Sequence, residues 1–169
     1  ANAITSGNSS LTLIKSEDDY DFNFDSGITG VGDFVAKFPG ALGNSLKFST
    51  CPSSAAFEST LSGTYDVSNG SRTVTCSANQ SGQIVVGDLL VLGNDRQSRR
   101  VAAIANNTTV TLENEFDGTS VTANTSLIRR WEYFNFVDRA PGTSPFANTQ
   151  GGTTDELHVV VVDEDGQWT

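Results

Sequence analysis

The chain has 169 residues and a formal net charge of −10 at pH 7, from 20 acidic and 10 basic side chains. A chain of this length buries a hydrophobic core without needing a disulfide or a metal ion. The negative charge argues against nucleic acid as a main partner, because such binding depends on cationic side chains that release counterions. It also argues against docking on an anionic membrane, and no apolar run approaches the roughly 20 residues that span a bilayer.

The composition predicts a mainly β fold with minor α content. Asn, Ser, Thr and Gly make up 67 of the 169 residues, and there is no Met. These small residues favour turns, caps and strand edges over helix interiors. Val, Ile, Thr and Phe supply most of the β propensity. We therefore expect an antiparallel sheet or sandwich rather than a helical bundle.

The N-terminal part begins with a small, polar segment typical of a linker, followed by a predicted strand at 11–15 (LTLIK). An acidic stretch at 17–33 comes next, and aromatic residues at 20, 22 and 24 alternate with polar ones inside it. This period of two favours a strand with one aromatic face. The carboxylates also suit a calcium site, although their spacing does not match an EF-hand loop. A solvated acidic face is the simpler interpretation.

Two turn signals follow in the segment PGALGN at 39–44, namely the Pro-Gly pair at its start and the Gly-Asn pair at its end. They leave room for at most one helical turn between them and predict a strand over 45–51. Residues 53–60 predict a short helix capped by Ser53 or Ser54.

The block at 80–130 differs from the rest of the chain in its regular succession of β-rich runs and turn residues. Turn residues separate three β-rich runs at 84–92, 98–105 and 108–113, and a fourth run covers 126–136. Several short strands with regular turn signals predict a small antiparallel barrel or sandwich. We therefore expect two domains: a β-rich domain formed by 1–79 plus 131–169, and a small antiparallel β-domain inserted at 80–130.

Basic residues concentrate in this inserted block, whereas acidic ones concentrate at 17–33 and 155–165. Such segregation suits lateral contact between identical copies, with ordinary surface variation as the alternative. The one basic and aromatic cluster is Arg129-Arg130-Trp131 with Tyr133 and Phe134. It suits a nucleic-acid or ligand platform, but a packed strand with snorkelling arginines fits an acidic chain better.

The C-terminal part contains a long loop at 138–154 and then an apolar run at 157–162. The run predicts a buried central strand. The acidic sequence DEDG at 163–166 predicts a hairpin turn rather than a metal site, because Asp-Gly tolerates the positive φ of tight hairpins.

Few residues suit catalysis. His158 is the only histidine and falls inside the predicted buried strand, so a Ser-His-Asp or Cys-His site would depend on it alone. The chain has no phosphate-binding loop, no HExxH and no GxSxG motif. Cys51 and Cys76 lack metal-ligand spacing and are expected to be reduced and partly buried. We expect no enzymatic activity, no metal and no cofactor, and an enzyme built on His158 or an unassigned carboxylate pair is the weakest hypothesis.

Three segments resemble a known family. Residues 34–46 (FVAKFPGALGNSL), 140–144 (APGTS) and 155–166 (DELHVVVVDEDG) are similar to motifs of the contractile-tail sheath proteins of myovirus-type bacteriophages, the T-even-like and cyanophage-like phages. The order and wide separation of the segments support the resemblance, which covers about a quarter of the chain. The block at 80–130 departs from the family pattern. The motif residues are assigned structural turn roles: Pro39, Gly40, Gly43, Asn44, Pro141, Gly142, Asp163, Asp165 and Gly166.

The resemblance implies a structural virion protein. Sheath subunits of this family form six-membered rings around a tail tube, above a baseplate, and contract without nucleotide hydrolysis to drive the tube through the host envelope. The resemblance places this chain in the outer, protruding part of a longer subunit, located in the virion tail and assembled in the host cytoplasm, and monomeric in isolation. The absence of an initiator Met agrees with a piece of a longer protein. The alternative is a secreted or virion-attached carbohydrate-binding β-module, with or without Ca²⁺.

Overall fold

The structure is a computed structural model that describes residues 45–93 and 97–166. The expected strand at 11–15, the acidic stretch and the PGALGN turns lie outside these ranges. The prediction of a mainly β fold with minor α content is confirmed, since the described residues form antiparallel sheets with two short α-helices.

Ten strands and two α-helices follow one another along the described residues. In chain order they are β1 (Leu46–Cys51), α1 (Ser54–Phe57), β2 (Glu58–Thr60), β3 (Tyr65–Val67), β4 (Thr73–Cys76), β5 (Leu89–Leu92), β6 (Ser98–Asn106), β7 (Thr109–Leu112), β8 (Val121–Asn124), β9 (Leu127–Arg130), a 3-10 turn (Phe134–Phe136), α2 (Pro145–Thr149) and β10 (His158–Asp163).

Eight of these strands form one sheet in the order β2-β9-β5-β6-β7-β4-β3-β8. Strand β6 is the longest and links the two halves of the sheet, because its first residues pair with β5 and the rest pair with β7. Its register with β7 shifts twice, between Val101 and Ala103 and between Ile104 and Asn106. Such irregularities bend a strand and increase its twist, which lets one strand serve both halves.

The core follows from the alternation of side chains along the strands. In β4 and β7 threonines alternate with apolar residues, and only Val74, Cys76, Val110 and Leu112 are buried. Strand β5 is buried along its whole length. One contiguous core results, formed by Leu61, Tyr65, Val67, Val74, Cys76, Ile84, Leu90, Leu92, Val101, Val110, Leu112, Phe116 and Leu127.

The chain divides into two compact units. The central unit spans Cys51–His158, and the second comprises the segments on either side of it, of which the structure describes 45–50 and 159–166. The central unit is larger than the insert expected at 80–130. Strands β2 and β4 lie before residue 80, yet they belong to the sheet of the central unit, since β2 pairs with β9 and β4 pairs with β7.

Two predicted strands differ from the structure. The run at 84–92 forms a strand only at β5, and Val85 and Val86 are exposed on a turn before it. The Asp88 carboxylate accepts the Val85 N–H at 2.8 Å, and Gly87 adopts a φ of +96°, so local hydrogen bonding and a left-handed residue delay the start of the strand to Leu89. The run at 126–136 is likewise a short strand, β9, followed by the 3-10 turn.

The prediction that the strand at 157–162 is buried is wrong. Among the described residues, β10 pairs only with β1 in a two-stranded sheet. Its burial alternates, and Val159 and Val161 are about half exposed, at 48% and 53%. Side chains alternate between the two faces of a strand, so Val159 and Val161 lie on one face of β10, and that face is open to solvent.

Candidate functional site

A loop at residues 139–156, here called the motif loop, contains the segment 140–144 and the first two residues of the segment 155–166. Arg139 donates from Nη1 to Oε2 and from Nη2 to Oε1 of Glu156, both at 2.6 Å. The Gly142 N–H donates to the same Oε2 at 2.9 Å, and the Glu156 N–H donates to the Gly142 carbonyl at 3.2 Å. One carboxylate therefore holds the beginning of the motif loop against its end.

A second carboxylate holds the middle of the motif loop. Asp155 accepts hydrogen bonds from the Ser144 N–H at 2.7 Å and from the Ser144 hydroxyl at 2.6 Å. Ser144 is also the N-cap of α2, where its Oγ accepts the Ala147 N–H at 3.1 Å, and Pro145 occupies the first turn. A Ser N-cap followed by Pro is a sequence signal for a helix start, and it fixes α2 inside the loop that the sequence predicts to be irregular.

Hydrogen bonds and charges within the motif loop favour the ionised forms of Arg139, Asp155 and Glu156. The Arg139 guanidinium, and after it the Gly142 N–H, lower the pKa of Glu156. The two hydrogen bonds from Ser144 lower the pKa of Asp155. In return, the hydrogen bond and charge of Glu156 raise the pKa of Arg139. Both carboxylates are therefore charged acceptors at neutral pH, which makes their hydrogen bonds stronger than neutral ones.

The single histidine anchors the end of the motif loop. His158 Nε2 lies 2.8 Å from the Arg139 carbonyl oxygen, and because a carbonyl only accepts, Nε2 carries the proton. The ring stacks on Trp131 with centroids 6.1 Å apart and meets Phe57 edge-on at 6.2 Å. These contacts give His158 a structural role in packing the motif loop, and within residues 45–93 and 97–166 it makes no hydrogen bond or ion pair with a serine, a cysteine or a carboxylate.

The expected motif residues fall in different places. Pro141 is buried, and Gly142 belongs to the Glu156 contact. Asp163, at the end of β10, accepts a hydrogen bond from the Ser45 hydroxyl at 3.2 Å. Asp165 and Gly166 are exposed beyond it, and the φ of +69° at Gly166 is the conformation that a turn glycine supplies. The remaining expected residues lie outside the described part of the chain: Pro39, Gly40, Gly43 and Asn44.

The sequence analysis did not identify the individual residues that form the hydrogen bonds of this site. Arg139, Ser144, Asp155 and Glu156 carry its hydrogen bonds, whereas the motif assignment named the prolines and glycines beside them. The adjacent acids at the start of the segment 155–166 were a usable signal. A pair of carboxylates next to a Gly-rich loop supplies acceptors for backbone N–H groups that no helix or strand satisfies.

The basic and aromatic cluster is packed into the central unit. The Arg129 side chain is only 12% exposed and forms an ion pair with Asp88 at 2.8 Å. Arg130 donates to Glu58 at 2.6 Å and lies 4.3 Å above the Phe134 ring. Both guanidiniums thus have internal carboxylate partners, and the Arg129 side chain is largely covered rather than snorkelling to solvent.

Metal ligands do not cluster in the part of the chain that the structure describes, where no three His, Cys, Asp or Glu side chains are placed to hold an ion. None of the helices in 45–93 and 97–166 has the length and apolar character needed to cross a membrane. Cys51 and Cys76 are free thiols and both are buried.

Comparison with known proteins finds no family model, no curated protein and no solved structure that matches this chain.

Proposed function

We propose that this chain is a structural virion protein, an outer part of a contractile tail sheath whose contraction drives the tail tube through the host envelope during genome delivery. One observation supports the proposal most. The segments 140–144 and 155–166, which resemble sheath motifs, are separated by ten residues in the sequence and hydrogen-bond to each other through Asp155 and Glu156. Two motifs that form one structural unit are what a shared family element would give.

The chemistry of the motif loop supports a structural role over a catalytic one. The carboxylates of Asp155 and Glu156 are occupied by Ser144, Gly142 and Arg139, and His158 is occupied by the Arg139 carbonyl. A general base needs a lone pair directed at a substrate, whereas the Asp155 and Glu156 carboxylates accept hydrogen bonds from groups of their own loop. The proposal accordingly assigns the chain no reaction and no cofactor.

The partners follow from the same proposal. In the virion, further copies of the subunit in six-membered rings, the tail tube and the baseplate would surround the full-length protein after assembly in the host cytoplasm. A net charge of −10 suits neither nucleic acid nor an anionic membrane as a partner. Contraction of such an assembly requires two alternative packings of its subunits, and a rigid outer domain would move with its subunit as one body.

Immuno-electron microscopy tests the location directly. Antibodies raised against this chain should decorate the outside of the tail along its length on virions of the phage that encodes it, in both extended and contracted tails. Pre-absorbing the antibodies with the purified chain is the control and should remove the label. Label confined to the capsid or the fibres, or no label, would overturn the proposal.

Sedimentation tests the assignment to the outer part of the subunit. Because the ring-forming parts would lie elsewhere in the protein, the isolated chain should remain a monomer at high concentration in analytical ultracentrifugation. A stable hexamer of this chain alone would contradict that assignment, even if the antibodies labelled the tail.

A further inference from the structure

A polar cleft of about 360 Å³ opens on the central unit between the start of β6 and the segment that follows β7. Its volume lies at the lower end of the roughly 300–1,000 Å³ range of small-molecule sites. The side chains that matter for its chemistry are Ser98, Arg99, Arg100, Glu113, Asn114 and Glu115.

Ion-pair, cation–π and backbone hydrogen-bond contacts hold the walls of the cleft in place. Arg99 forms an ion pair with Asp117, and its guanidinium carbon lies 4.9 Å from the centre of the Phe116 ring. The Glu113 N–H donates to the Arg100 carbonyl at 2.8 Å, and the Phe116 N–H donates to the Ser71 carbonyl at 2.8 Å. A ligand would therefore meet preformed walls, which lowers the entropic cost of binding.

Several polar groups on these walls have hydrogen-bond donors or acceptors that are available to a ligand. Arg100 donates from Nη1 to the Gly87 carbonyl at 3.0 Å, but its ion pairs with Glu113 and Glu132 are long, at 3.8 and 3.7 Å. The side chains of Asn114 and Glu115 make no hydrogen bond or ion pair with any residue in the described ranges. Donors and acceptors are thus available in the same cleft.

This mixture selects a class of ligand. An anion is disfavoured because, among the described residues that line the cleft, the carboxylates of Glu113, Glu115 and Asp117 outnumber the two guanidiniums. A bare divalent cation is disfavoured too, since no three carboxylates of the described residues converge on one point. A ligand hydroxyl both donates and accepts, so a neutral ligand with several neighbouring hydroxyls can satisfy guanidinium, amide and carboxylate groups together.

We propose that this cleft binds one or two units of a neutral saccharide. Arg100 and the Asn114 amide donate hydrogen bonds to hydroxyl oxygens of the saccharide, while the carboxylates of Glu113 and Glu115 accept hydrogen bonds from its hydroxyl groups. The proposal does not depend on the sheath assignment, because it rests on the lining of the cleft alone. Free sugar and a unit of a bacterial surface polysaccharide share this chemistry. The affinity should lie in the millimolar range, since no aromatic side chain lines the cleft as a stacking surface.

An NMR titration of the ¹⁵N-labelled chain tests the site. The probes are methyl glycosides of glucose, galactose, mannose and N-acetylglucosamine, the corresponding disaccharides and their soluble polymers. At least one should produce saturable shifts at the amides of 98–100 and 113–117. Shifts with the small sugars alone would identify a free or terminal unit, and additional shifts with a polymer would identify an internal unit. No saturable shift in these two segments with any probe would overturn the proposal.

Variants assign the binding to these side chains. Asn114→Ala and Glu115→Gln should each raise the dissociation constant roughly three- to tenfold, the effect of losing one hydrogen bond. Both side chains are exposed and make no hydrogen bond or ion pair within the described ranges, so the spectra of the variants should otherwise match that of the parent. Asn107→Ala, at an exposed position that does not line the cleft, is the matched control and should leave the constant unchanged. Equal affinities in all three variants would place the ligand elsewhere and refute the site.

Discussion

Arg129 and Asp88 form a two-bond ion pair inside the central unit, with Nε 2.8 Å from Oδ2 and Nη2 2.8 Å from Oδ1. Their side chains are 12% and 1% exposed. Asp88 also accepts the Val85 N–H at 2.8 Å, and Arg129 also donates to the Ala56 carbonyl. The pair therefore joins strand β9 to the turn before β5 and to helix α1.

Breaking this pair should destabilise the protein strongly. Arg129→Met leaves the Asp88 carboxylate buried without its countercharge, and we expect a loss of about 3–5 kcal/mol in the free energy of unfolding, measured by urea denaturation. The matched control is Glu58→Gln, which breaks the more exposed ion pair of Arg130 and should cost less than about 1 kcal/mol. Similar losses of unfolding free energy in the two variants would contradict the larger contribution expected from the Arg129–Asp88 pair.

The motif loop should respond to acid through its two carboxylates. Because hydrogen bonds lower the pKa of Glu156 and of Asp155 in the folded chain, their stabilising effect is complete above the ordinary values of 4.5 and 3.8. It is lost as the pH falls through the lowered folded values. NMR titration should therefore show the amide shifts of Gly142 and Ser144 constant at neutral pH and changing only below those ordinary values.

Two variants separate the contributions of these carboxylates. Glu156→Gln should abolish the acid response at the Gly142 amide and accelerate its hydrogen exchange, while leaving the response at Ser144. Asp155→Asn should do the reverse. A midpoint at Gly142 at or above 4.5 in the parent protein would contradict the assigned hydrogen bonds.

The elements that the sequence predicted best are those whose signal is local. The predicted β-rich run at 108–113 contains β7, where threonine alternates with apolar residues, and Ser53 caps α1 by accepting the Ala56 N–H at 3.2 Å. The helix signal at 53–60 nevertheless covers only four residues of helix, because Glu58–Thr60 pair with β9 as strand β2. Pairing with a distant strand outweighs a weak helical preference, and sequence alone does not reveal it.

The candidate site was less accessible to sequence reasoning, because it depends on contacts between distant residues. The motif pattern pointed to Gly142, but it did not show that the Glu156 carboxylate, 14 residues later, would bind its N–H. The partners of Arg129 and Arg130 likewise lie 41 and 72 residues earlier in the chain. The sequence favoured a packed strand with snorkelling arginines over a surface platform, but it did not reveal that the fold supplies a carboxylate for each arginine.

A glycine pair tests the packing of the turn after β2. Gly63 has a φ of +87°, and a Cβ there would lie 2.7 Å from the Ala78 Cβ and 2.9 Å from the Ser77 Oγ. Gly63→Ala should therefore lose about 2–4 kcal/mol of unfolding free energy, from backbone strain and overpacking together. Gly70, at a φ of +77°, has no heavy atom within 4 Å of the same position, so Gly70→Ala should lose only the backbone part, about 1–2 kcal/mol. Equal losses would refute the predicted steric clash at Gly63.

The two thiols should be protected by the fold. Cys51 and Cys76 are 0% and 4% exposed, and burial raises the pKa of both, which lowers the fraction of reactive thiolate. A thiol reagent such as Ellman's should therefore react slowly with the native chain at pH 8 and modify two thiols rapidly in concentrated urea. Cys51→Ser and Cys76→Ser should each leave one thiol in urea and identify any residue that reacts early. Rapid modification of both thiols in the native protein would contradict their burial.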